Sequence, residues 1–158
     1  MFIEDKVSIL RCKIKKIYYK IFYNKFEFSS SLSFRKGFIV NINGGKVKIK
    51  SNCFFNNYCS INSHGYIEIG ENCIFGEGVR LYDHNHRFGK NIITSQSGYK
   101  IGKIKINDNV WIGSNVTILK DVEIGKNSVI GANCLIYRDI PENSVVKSSS
   151  NININEII

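Results

Sequence analysis

From Ile106 onward isoleucine returns every six residues, at 106, 112, 118, 124, 130 and 136. A helix repeats near 3.6 residues and a plain strand at two, so neither produces a sustained period of six. Four residues after each isoleucine a second series runs in step: Val110, Val116, Val122, Ser128, Cys134 and Ile140. The same register fits the earlier chain at Ile49, Phe55 and Ile61, and after a two-residue slip at Ile69, Phe75 and Leu81. There the second series reads Cys53, Cys59, Gly65, Cys73, Val79 and Asn85. Four of the five cysteines are thus small apolar residues on an inward position, and none forms CxxC or a zinc-ligand spacing.

The position between the two series, three after each large residue, is mostly Asn, Asp or Gly: Asn52, Asn72, Gly78, Asn109, Asn115, Asp121, Asn127, Asn133 and Asp139. These residue types tolerate a left-handed backbone, so each unit reads as a short strand followed by a tight corner. Tyr58, His64 and His84 depart from the rule, and the corner alone is a sufficient reading for the two histidines. Three units make one triangular coil. Segments 45–53, 65–73 and 102–110 (GKVKIKSNC, GYIEIGENC, GKIKINDNV) are versions of one stretch, as expected for stacked coils. The expected fold is mainly β, a parallel β-helix of triangular section.

Charge and length narrow the possibilities. The 158 residues carry 22 Lys+Arg against 13 Asp+Glu, a formal charge of +9. No apolar run is long enough to span a bilayer, and the start lacks the pattern of a secretory leader, so a cytoplasmic chain is expected. The excess of cations leaves acidic partners open, but no nucleic-acid recognition motif is present, and nucleic acid is set aside.

Two stretches leave the register. Over residues 1–26, Ile3, Val7, Leu10, Ile14, Ile17 and Ile21 form a helical stripe, with Lys6, Arg11, Lys13, Lys15, Lys16, Lys20 and Lys25 largely off it. Such a helix covers the open end or side of the first coil, the preferred reading, or contacts the inner face of a membrane. The second stretch lies between Ile69 and Ile106, which are 37 residues apart yet bracket only the units at 69, 75 and 81, so about 19 residues leave the coil as a loop. Loops of that length are commonly functional. The expected organisation is an N-terminal helix and connector (1–30), a β-helix (31–146) with a loop at about 87–103, and a tail (147–158).

With LYDHNHRF (81–88), the insert after it and the rungs of 106–146, the sequence resembles the hexapeptide-repeat acyltransferases over about two thirds of its length. That resemblance implies a left-handed β-helix and, within the family, the branch that acetylates sugars and surface polysaccharides. It further implies acetyl-CoA as donor, no metal, a homotrimer with sites between subunits, and a catalytic histidine just ahead of the insert.

Acetyl transfer to a hydroxyl needs a base, and histidine suits that role near neutral pH. His86 points outward under strand alternation and opens the insert, so it is the preferred base, with His84 second. Trp111 follows His86 by 25 residues, the separation the resemblance requires. Asp83 is read either as a partner of the imidazole or as a solvated turn residue. Asn85, in the inward series, Tyr82 and Trp111 are candidates for the acceptor. For the donor, Gly113, Gly125, Gly131 and Ala132 would admit the pantetheine arm beside Trp111, and Lys120, Lys126, Arg138 and Lys147 would meet the phosphates. The chain lacks the family's usual Gly-x-Pro-Ala segment after the last coil, having VKSSSNIN instead. Serine or amino-sugar N-acyl transfer, a three-histidine zinc site of the γ-carbonic anhydrase kind, and a non-catalytic scaffold are the alternatives.

Overall fold

A computed structural model describes residues 2–148, with side chains from residue 6 onward in the N-terminal helix. The expectation for the tail after residue 148 lies outside the described residues. Helix α1 (Phe2–Phe22) leads into the first coil, formed by β1 (Phe26–Phe28), β2 (Ser33–Phe34) and β3 (Ile39–Ile42). The second coil is β4 (Lys46–Ile49), β5 (Phe54–Phe55) and β6 (Ser60–Ser63), and the third is β7 (Tyr66–Ile69), β8 (Ile74–Phe75) and β9 (Arg80–Tyr82). An excursion follows, made of β10 (His84–His86), a 3-10 turn (Thr94–Gln96) and β11 (Tyr99–Ile101). The coil then resumes with β12 (Lys103–Ile106), β13 (Trp111–Ile112) and β14 (Thr117–Ile118). A fifth coil is β15 (Val122–Ile124), β16 (Val129–Ile130) and β17 (Leu135–Ile136); a bridge at Ile140 and β18 (Val145–Val146) begin a sixth.

Strands stack in parallel into three faces: β1-β4-β7-β12-β15, then β18-β16-β13-β8-β5-β2, then β17-β14-β9-β6-β3. This is the triangular parallel β-helix that the six-residue period demands. The isoleucines from 106 to 136 are all buried, as are Val110, Val116, Val122, Ser128 and Cys134. Rungs of like residues meet along the axis; Phe55 and Phe75 stack at 4.1 Å with their planes 8° apart.

The corners follow the sequence where Asn, Asp or Gly stands. Asn52, Asn72, Gly78, Asn109, Asn115, Asp121, Asn127 and Asn133 all have φ between 57° and 65°, and Tyr58 adopts the same conformation at 60°. His64, His84 and Asp139 do not, which corrects the corner reading of both histidines. In the first coils the third face ends in four-residue strands, Ile39–Ile42 and Ser60–Ser63, so the chain turns to the first face through a wider bend. The two-residue slip between Ile61 and Ile69 is this bend, and the excursion leaves the coil at the same edge.

The helix covers the open side of the first coil, though not with its apolar stripe. Cys12 and Tyr19 are buried, and the Tyr19 hydroxyl accepts the Val40 N–H at 3.1 Å. Lys16 Nζ donates to the carbonyls of Ser30 (2.6 Å) and Leu32 (3.0 Å), and Lys15 Nζ donates to that of Phe38. These are strand-edge groups with no preceding coil to pair with, and polar side chains answer them. Leu10, Ile14 and Ile17 face away from the coil, each 59% exposed.

Candidate functional site

After Leu81 strand alternation carries Tyr82 outward and Asp83 inward, so a carboxylate enters the coil at the edge between the third and first faces. It is fully buried. Waiting there are the donors of the wide bend one coil earlier: Ser63 Oγ donates at 2.6 Å, the His64 N–H at 2.8 Å and the Gly65 N–H at 2.9 Å. His84 Nδ1 lies 3.1 Å from the same carboxylate. Burial of an acid is tolerable when its lone pairs are filled this completely. Asp83 is therefore no solvated turn residue; it ties two coils together at the point where the chain departs.

The departure is a β-hairpin. β10 and β11 pair antiparallel, with His84 opposite Ile101, Asn85 opposite Lys100 and His86 opposite Tyr99. Its base closes through the Gly102 N–H, which donates to the Asp83 carbonyl at 2.7 Å. At Gly65 an added Cβ would stand 2.1 Å from the Gly102 carbonyl oxygen, so glycine there lets the returning strand pass. Because the chain has already left the coil at His84, Asn85 belongs to the hairpin and does not continue the inward series.

Alternation places His84 and His86 on one side of the hairpin, together with Tyr99 across the pair. The Tyr99 ring lies 4.2 Å from His64, 5.0 Å from His84 and 4.6 Å from His86, and the rings of His64 and His84 are 4.0 Å apart. Tyr82 flanks the cluster, 6.3 Å from His84. The side chain of His84 is only 13% exposed and is engaged by Asp83, whereas His86 stands open to solvent. Burial, and next the adjacent His84, hold the His64 imidazole below the usual histidine range. Tyr99 and Ser63 were not singled out from sequence. The outward alternation of His86 was a usable signal, while Tyr99 sits in an insert whose pairing no period reveals.

The remaining candidates are not gathered at this edge. Trp111 is 56% exposed on the second face, the face opposite the hairpin corner. Gly113 and Gly125 are explained by the stack itself: a Cβ would lie 2.6 Å from the Ala132 nitrogen and 2.3 Å from the Glu142 nitrogen of the next coil. Gly131 is similarly close to the Val146 carbonyl, at 2.9 Å. Lys120, paired with Asp121, and Arg138 stand at the third-to-first corners of the next two coils, along the hairpin's edge. Lys126 occupies a different corner, its Nζ 3.5 Å from Glu142, and Lys147 follows β18. Among the described residues no group of three or more His, Cys, Asp and Glu side chains is placed to hold a metal ion.

Residues 103–138 match the family described as bacterial transferase hexapeptide, six repeats. That stretch of the chain carries the repeats of the hexapeptide-repeat family. This hexapeptide-repeat protein is 36% identical over 125 residues to a Schizosaccharomyces pombe protein named as an acetyltransferase, an alignment covering 78% of the chain and 56% of that protein. It is 32% identical over 110 residues to Escherichia coli WbbJ, named for O-acetyl transfer in lipopolysaccharide biosynthesis, covering 65% of the chain and 56% of WbbJ. Among solved structures, galactoside acetyltransferase in complex with coenzyme A superposes with a TM-score of 0.61 at 26% identity, covering 83% of the chain and 63% of that protein. The hexapeptide-repeat chain spans about half the length of the curated relatives it matches.

Proposed function

We propose that this chain moves an acetyl group from acetyl-CoA to a sugar hydroxyl, on a surface polysaccharide or its precursor, with His86 as general base. The observation that carries the assignment of the base is the contrast within the hairpin: His84 is held by buried Asp83, while His86 is open to solvent beside Tyr99. A base must reach the acceptor, and only an open imidazole does so. His86 takes the hydroxyl proton as the oxygen forms its bond to the thioester carbonyl carbon. The C–S bond then breaks, and the imidazolium returns the proton to the departing coenzyme A thiolate. Asp83 and His84 fix the base of the hairpin and so position His86.

The sugar acceptor is supported by the names of WbbJ and galactoside acetyltransferase, and the donor by the coenzyme A held in the latter. Lys120 and Arg138, on the hairpin's edge, suit the anionic end of that donor. Trp111 and the His86 corner lie on opposite sides of the β-helix, in successive coils, so they combine only between copies. The exposed ladder of Ile74, Trp111 and Val145 on the second face supports a homotrimer with its sites at those junctions.

The test is release of free thiol from acetyl-CoA in the presence of a panel of sugar and glycan-precursor acceptors. His86→Ala is expected to lower turnover at least ~100-fold with the fold intact. Undiminished turnover in that variant would remove His86, and a panel on which only amines accept would replace the hydroxyl.

A further inference from the structure

We infer that the outward side of α1 is a docking surface for an anionic lipid bilayer. The inference is independent of the catalytic reading, because none of the residues involved belongs to the hairpin corner. The helix meets the coil through Cys12, Lys15, Lys16 and Tyr19, and its opposite side carries Val7, Leu10, Ile14, Ile17, Tyr18 and Ile21, between 46% and 66% exposed. A stripe of this length at spacings of three and four is a continuous apolar patch, larger than scattered surface residues produce. The coil does not need it. The capping work is done from the other side of the helix, by buried Cys12, by the Tyr19 ring packed on Phe26, Phe34 and Phe38, and by the hydrogen bonds of Lys15, Lys16 and Tyr19.

The flanks of that stripe identify the partner. Lys6, Lys13 and Lys20, seven residues apart, run along one margin of it, and Arg11 stands at the other; all four are exposed. Beyond the lysine margin a groove of about 560 Å³ opens between helix and first coil, lined by Ile9, Lys13, Lys16, Arg35 and Phe54. An apolar ridge between cationic margins fits the boundary of a bilayer, acyl chains under the ridge and phosphate groups along the lysines. The charge is unsuited to a second copy of this chain, which carries +9 and would bring like charge to the margin. The helix lies on such a surface without crossing it, since no helix among the described residues is long and apolar enough to span a membrane.

The experiment is co-sedimentation of the full chain with vesicles of phosphatidylcholine alone or mixed with phosphatidylglycerol, beside analytical ultracentrifugation without lipid. The wild type is expected to pellet with the mixed vesicles only, and to be released by salt. A variant with Lys6→Gln, Lys13→Gln and Lys20→Gln should lose about fivefold in partitioning per lysine, about a hundredfold together. A variant with Leu10→Gln, Ile14→Gln and Ile17→Gln should not bind at all. Both should keep acetyl-CoA turnover with a soluble acceptor. The apolar variant should also keep the wild-type urea midpoint, because Leu10, Ile14 and Ile17 face away from the coil. The lysine variant gives up the Lys20 Nζ contact with the Phe28 ring, 6.0 Å to its centroid, and should unfold at slightly lower urea. Absence of wild-type binding to mixed vesicles overturns the proposal, as does binding indifferent to both variants. If the apolar variant changes the oligomeric state while the wild type ignores vesicles, the face is a contact between copies.

Discussion

Ser63 donates its hydroxyl hydrogen to the buried carboxylate of Asp83 at 2.6 Å, joining the end of one coil to the place where the next is interrupted. The bond explains how a coil can lose 19 residues to an excursion and resume in register. The widened bend of residues 63–65 presents an OH and two N–H groups, and Asp83 fills all three from the coil above while its own carbonyl closes the hairpin.

Removing the carboxylate should therefore unfasten the hairpin. Asp83→Ala leaves the His64 and Gly65 N–H groups without their acceptor and the Ser63 hydroxyl with only the Lys46 carbonyl at 3.4 Å, a cost of about 3–5 kcal/mol. Ser63→Ala, which removes one bond to a charged group, should cost about 1.5–3 kcal/mol. Urea unfolding measures both, and limited proteolysis within residues 87–98 should quicken in Asp83→Ala before the coil unfolds.

Tyr99 touches all three imidazoles, so its loss should act on turnover more than on stability. Tyr99→Ala is expected to lower kcat about tenfold by loosening His86, with Tyr99→Phe close to wild type because the ring does the packing. Steady-state kinetics with acetyl-CoA and an accepted sugar separates the two. Equal losses in both variants would assign the role to the hydroxyl.

His64 gives the fold a pH dependence of definite sign. Its proton affinity is lowered in the folded chain, so between the folded value and the ordinary one of about 6.5 the unfolded chain binds the extra proton. The His64 contribution is complete above about 6.5 and declines as pH falls through that value, levelling off below the folded pKa. Urea midpoints across this range should drop less on acidification in His64→Gln than in wild type.

At the other end of the coil, Tyr19→Phe leaves the Val40 N–H at a covered edge without its acceptor. A loss of about 1–2 kcal/mol is expected. The thermal midpoint of the variant, set beside that of Leu10→Gln, shows which side of the helix bears on the coil; the outward substitution should change little.

All five cysteines are buried and unpaired, and burial pushes the Cys59 thiol up to about 11. At Cys59 thiolate, the reactive form, is thus scarce as well as covered. Labelling by a thiol reagent should proceed at the rate of unfolding in native buffer and complete at once in denaturant. Rapid labelling of Cys59 in the folded chain would contradict its place in the inward column.

The period of six in Ile106 to Ile136 was enough for the three-faced coil, because no other regular backbone buries every sixth and every intervening fourth side chain at once. The Asn and Gly corners were equally legible, since a left-handed φ is a property of one residue and its neighbours. His86 was legible as an outward residue by alternation alone. The sequence could not show that His64 and His84 avoid the left-handed corner, that Asp83 is buried, or that Tyr99 joins the histidines, because each depends on segments 19 to 35 residues apart meeting in space. Helix α1 makes the same point. Its stripe was visible from residue spacing, but which side meets the coil was decided by the open strand edge of residues 30–40, whose unpaired carbonyls and N–H groups select lysine and tyrosine over isoleucine.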